Sequence, residues 1–89
     1  MGKVSSFHLD GIDCWFWSQE HRPPHFHARK KECWEVQVYF LKTKNEMLVM
    51  VKSLRGRISS KDANALTNNA ERYRAELLKE WEKKVVCNA

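Results

Sequence analysis

Eighty-nine residues are enough for one small domain spanning 1–89, with a thin core, because chains of this size bury only about 60 per cent of the surface their unfolded form exposes. With 43% hydrophobic and 30% charged residues and only 3 Gly and 2 Pro, the composition excludes a disordered or fibrous chain, and the longest apolar run, residues 47–51, is far short of the roughly 20 residues a membrane span needs. The 16 Lys+Arg against 11 Asp+Glu leave a net +5, a modest field that would attract polyanions such as nucleic acid.

Residues 4–9 read as a weak first strand, with Phe7 and Leu9 on one side of an extended chain. Asp10-Gly11 is a hairpin-type turn signal. The stretch 12–17 that follows has two apolar faces, Ile12, Cys14 and Phe16 on one and Trp15 and Trp17 on the other, so a strand here needs cover on both sides. Pro23-Pro24 fix two φ angles and bring the chain stiffly to His25, where a new strand starts. Its two-residue period puts His25, His27 and Arg29 on one face and Phe26, Ala28 and Lys30 on the other, with Phe26 toward the core and the histidines away from it. Residues 34–41 give the clearest strand, Trp34, Val36, Val38 and Phe40 alternating with Glu35, Gln37 and Tyr39. A polar turn over 42–45 leads into a return strand over 46–52, again apolar on both faces.

The last third changes period. Ala63, Leu66, Ala70, Tyr73, Leu77 and Trp81 form one helical stripe, Ser59 with Asp62 three positions on is a capping signal, and Glu80 and Lys84 are a favourable pair four apart. A helix over 60–84 would be about 37 Å long, against about 27 Å for an eight-residue strand, so it breaks near Asn68-Asn69 or overhangs its sheet. Strands first and helix last predict an α+β fold: an antiparallel sheet of four to five strands with one long C-terminal helix, continuous or broken, across one face. One helix cannot cover both apolar sheet faces, which predicts a homodimer built on the second face. Cys14, Cys33 and Cys87 are odd in number and lack Cys-x-x-Cys spacing, which argues against a disulfide framework or zinc ribbon and for a reducing, cytoplasmic setting.

Two stretches carry a family resemblance, "EHRPPHFHA" at residues 20–28 and "AERYRAELLKEWEK" at residues 70–83. With them the chain resembles a family of small bacterial proteins called domain of unknown function 4160. The resemblance implies the same order of strands and closing helix. It also implies a small partner protein encoded alongside, in a toxin-antitoxin-like pair, and it supplies no activity. The residues it carries over are His21, His25 and His27. Arg29, Lys30 and Lys31 depart from the acidic or glycine-containing stretch that follows the motif in the family.

The histidines admit three readings. As metal ligands, His25 and His27 lie about 6 to 7 Å apart along one strand face, His21 adds a third donor for zinc or nickel and Glu20, Glu32 or Cys33 a fourth, although Arg29 on the same face opposes a cation. As a metal-independent ribonuclease, the same histidines act as general acid and base, with Arg29 or Lys31 as the cation for the phosphorane. As structural groups they cap carbonyls of the Pro-Pro turn, stack on Trp15 or Trp17, or line the dimer interface. The structural reading is preferred. In a variant of it, His25, His27 and Arg29 form a docking face, with Lys30, Lys31 and Trp34 available to nucleic acid or a protein partner. The expected function is therefore a binding or interaction module without a cofactor.

Overall fold

The computed structural model describes residues 2–17 and 22–86, the last of these by its backbone alone. Its elements are β1 (Gly2–Lys3), β2 (Asp13–Phe16), β3 (Phe26–Lys30), β4 (Trp34–Val38), β5 (Leu48–Ser53), α1 (Ser60–Arg72) and α2 (Arg74–Trp81), followed by a π-helical turn over Glu82–Val86. The strands form one five-stranded sheet in the order β1-β2-β3-β4-β5. Every neighbouring pair is antiparallel.

Register follows from the apolar alternation. Phe26 stands opposite Val38, Ala28 opposite both Cys14 and Val36, and Val36 opposite Met50. Because side chains of paired residues share a face, these residues line the side where α1 and α2 lie. Phe16, Phe26, Val36, Val38 and Phe40 are closed off there with Leu66, Ala70, Leu77 and Trp81 of the helical stripe. Trp81 meets Phe16 edge-on at 6.5 Å. Ser59 caps α1, its hydroxyl accepting from the Asp62 backbone N–H at 3.1 Å. The chain carries, among the described residues, no helix long and apolar enough to cross a membrane.

Two expectations are corrected. The single long helix is two, and the break falls at Tyr73 (φ −103°, ψ 23°) rather than at Asn68-Asn69. Asn69 keeps α1 intact by donating its side-chain amide to the Ala65 carbonyl at 2.8 Å. At Tyr73 the chain turns because tertiary contacts on either side of it compete with helix continuity. The Tyr73 ring stacks on Phe7 at 6.0 Å, while Arg74 donates from Nε to the Phe40 carbonyl at 2.8 Å and ties α2 to the end of β4. Breaking there lets two short helices lie on a sheet that one long helix would overhang.

The second correction concerns the N-terminal strand, which occupies Gly2–Lys3 rather than 4–9. The backbone N–H groups of Ser5 and Ser6 donate instead to the two carboxylate oxygens of Glu80, at 2.8 and 2.9 Å, and the Ser6 hydroxyl donates to the same carboxylate. Phe7, half-buried, packs against the core edge-on to Phe26 at 5.6 Å. Asp10-Gly11 does turn as expected, with Ile12 N–H donating to the Leu9 carbonyl at 3.2 Å and Gly11 in the left-handed region at φ 78°.

Glu80 thus joins the chain ends. It also accepts from Lys84 Nζ at 2.7 Å, and that ammonium donates in turn to the Lys3 carbonyl at 2.7 Å. Burial alone would raise the Glu80 carboxyl pKa, but the hydrogen bonds from Lys84, Ser6 and Ser5 outweigh it and hold the group below the ordinary carboxylate value. A group with a depressed folded pKa stabilises the fold at pH above its unfolded value, and that contribution is lost as pH falls through the folded value. Glu80→Ala is expected to lower stability by about 2 kcal/mol at pH 7, the scale of hydrogen bonds to a charged acceptor. In urea titrations the gap between variant and wild type should close as pH is lowered through the folded pKa, where wild-type Glu80 becomes protonated.

Candidate functional site

The side of the sheet away from the helices is ordered in rows. One row reads Lys3, Trp15, His27, Gln37 and Val49 across β1 to β5, and the next reads Asp13, Arg29, Glu35 and Lys52 across β2 to β5. The alternation that sends Phe26 and Ala28 to the core therefore sends His27 and Arg29 here, on the face expected from the sequence.

On that face the histidines are closed off from solvent. His25 and His27 are only 3% and 5% exposed. They are embedded in a layer of aromatic rings instead of pointing into water. His27 lies parallel to Trp15 at 5.5 Å, with Trp17 edge-on at 6.1 Å. His25 stacks on Tyr39 at 4.7 Å, meets Trp81 at 5.7 Å, and approaches the His27 ring at 5.4 Å. The Pro-Pro entry, whose Arg22-Pro23 peptide is cis, brings the Pro23 carbonyl within 2.8 Å of His25 Nδ1. A carbonyl only accepts, so Nδ1 carries the proton and the ring orientation is set.

The sequence alone does not single out Tyr39 and Trp81 as partners of His25. Tyr39 is within reach of sequence reasoning, because it falls on the same strand face as Glu35 and Gln37. Trp81 is not, because only the tertiary path of α2 brings it to the rim of the sheet. The indole N–H groups of Trp15 and Trp81 are buried and find no acceptor among the described residues. Each such group costs about 1–3 kcal/mol.

The remaining candidates separate. His21 and Glu20 lie outside the described residues. Arg29 keeps half its side chain exposed, sits over the Trp15 ring at 5.7 Å and pairs with Asp13 at 3.7 Å. Lys30 points to the helix side, where its Nζ donates to Asp62 at 3.1 Å. Lys31 is exposed in the β3–β4 turn, and Trp34, 2% exposed, has its ring in the core. Among the described residues no group of three or more His, Cys, Asp or Glu stands placed to hold a metal ion. Burial first, and then the Asp13 carboxylate, push the Cys14 thiol pKa up to about 12, so it is a protonated packing group at neutral pH.

A cleft of about 590 Å³ opens beside this layer, lined by Lys3, Asp13, Cys14, Trp15, Trp17 and Arg29. Arg29 also borders a smaller one of about 240 Å³ that includes Glu35 and Lys52. What reaches solvent on this face is thus aromatic and charged, while the imidazoles lie beneath.

A family model described as Domain of unknown function (DUF4160) matches residues 11–82, which take in the sheet from β2 onward and both helices. The chain belongs to this family. Comparisons with curated proteins and with solved structures gave no match. The family match thus spans the Pro-Pro-His-Phe-His stretch and its aromatic surroundings without bringing an activity to them.

Removing either ring opens a cavity in this layer. His25→Ala and His27→Ala are each expected to cost about 2–4 kcal/mol in urea unfolding, in the range of other buried large-to-Ala changes. In the native protein Cys14 should resist a thiol reagent that labels it promptly once the chain is unfolded in urea.

Proposed function

We propose that this member of the family works by binding, as an interaction module whose working surface is the sheet face around Trp15, Trp17 and Arg29. The observation that supports this reading is the burial of His25 and His27, at 3% and 5% exposure. A general acid or base must come within hydrogen-bond reach of its substrate, and rings packed between Trp15, Tyr39 and Trp81 lack that access. Their role is to set the shape of the face from beneath. A half-exposed Trp17 and the cleft beside it supply the amphipathic contact area that binding surfaces favour. The partner we favour is a protein.

A second reading, in which the histidines ligate zinc or nickel or cleave RNA, draws on the 5.4 Å approach of the His25 and His27 rings. The two separate by experiment. Protein purified without a His tag is expected to hold no stoichiometric metal by elemental analysis, and to show no RNA cleavage that His27→Ala removes. Stoichiometric zinc or nickel, or cleavage dependent on His27, would overturn the binding reading.

A further inference from the structure

The charged row on the open face has a symmetry. From β2 to β5 it runs Asp13, Arg29, Glu35, Lys52, each residue directly opposite the next across the ladder. The signs alternate, minus, plus, minus, plus. Read backwards, the row has the opposite sign at every position.

A two-fold axis parallel to the strands, between β3 and β4 and above the face, turns the row end for end. Two copies packed this way set Arg29 against Glu35 of the other copy and Asp13 against its Lys52. All four contacts then join opposite charges. In the neighbouring row the same axis sets Trp15 over the other copy's Val49. Trp17 and Val49, each 43% exposed, are the apolar surface such packing would cover. Aligned sheets pack about 10 Å apart at an angle near 30°, so the inner Arg29–Glu35 pairs stay in register better than the outer Asp13–Lys52 pairs.

We infer that the open sheet face, across the row Asp13, Arg29, Glu35 and Lys52, is the interface of a two-fold homodimer of this chain. The inference rests on the reading of that face as the working surface and names its occupant. A polyanion fits less well, because Arg29 stands between Asp13 and Glu35 and the row offers no run of cations for a phosphate chain.

The test uses charge reversal at the inner pair. R29E sets carboxylate against carboxylate at both inner contacts, and E35R sets guanidinium against guanidinium, so each variant repels its own copy. Mixed together, the two are complementary at every position, and so is the double variant R29E/E35R with itself. Sedimentation velocity at about 100 μM protein and moderate salt, the screening length being about 8 Å, should show a dimer for wild type and a monomer for each single variant. Dimers should return for the equimolar mixture and for the double variant. The apparent dissociation constant of the single variants should rise at least tenfold. Circular dichroism checks that each variant is folded, and if R29E is not, D13K and K52E make the same test at the outer pair.

A monomeric wild type, single variants that remain dimers, or a mixture that stays monomeric would each overturn the inference. A monomeric wild type would leave the binding reading standing, since that reading fails only through bound metal or histidine-dependent cleavage.

Discussion

The pairing of β3 with β4 governs the rest of the molecule. Five consecutive residues of each strand are matched, from Phe26 opposite Val38 to Lys30 opposite Trp34. A slip of β3 by one residue would exchange its two faces, burying His27 and Arg29 under the helices and exposing Phe26 and Ala28. The flanking strands add to this central pair in the same phase. β2 aligns Cys14 with Ala28, and β5 aligns Met50 with Val36. The helices then have one apolar surface to settle on, and the opposite face inherits every side chain that the core did not take.

That inheritance explains why the histidines are buried without belonging to the main core. The phase of His25 and His27 turns them from the sheet face that the helical stripe covers, yet the same phase delivers Trp15, Trp17 and Tyr39 to their sides, and the end of α2 brings Trp81 to His25. Aromatic rings offset from one another or edge-on gain about 0.5–1.5 kcal/mol per pair beyond area burial. A polar residue flanked by such rings is packed even where no helix lies above it. A buried imidazole in this setting is held by stacking and by the Pro23 carbonyl, and the loss of either neighbour would move the ring rather than free it.

The division between what the sequence shows and what it conceals follows from the range of the interactions involved. Strand phase is local, so the facing of Trp34, Val36 and Val38, the opposite facing of His27 and Arg29, the Asp10-Gly11 turn and the Ser59 cap can all be read from neighbours in the chain. The stacking of a histidine on Trp15 is also among the structural options the sequence offers. The N-terminal segment and the helix break escape such a reading because each is decided by a contact between distant residues. Ser5 and Ser6 lie 75 and 74 positions from Glu80, and Arg74 lies 34 from Phe40. A run that alternates well enough to form a strand gives up its ladder bonds when a carboxylate accepts its N–H groups. Nothing in residues 4–9 themselves announces that acceptor.

Net charge is misleading for a similar reason. The chain carries +5, and the cluster of Arg29, Lys30 and Lys31 looks in one dimension like a cationic patch. In the fold these residues diverge. Arg29 pairs with Asp13 on the open face, Lys30 with Asp62 on the helix side, and Lys31 stays in the turn between them. Elsewhere Lys44 meets Glu71 and Lys84 meets Glu80. Successive residues of a strand point to opposite faces, so a basic run along β3 is divided by the sheet, while the residues of one row come from four different strands. On the open face that regrouping yields alternating signs in place of a positive stripe. Alternation sums to zero across the row, draws no polyanion from a distance, and favours a surface with the same pattern reversed.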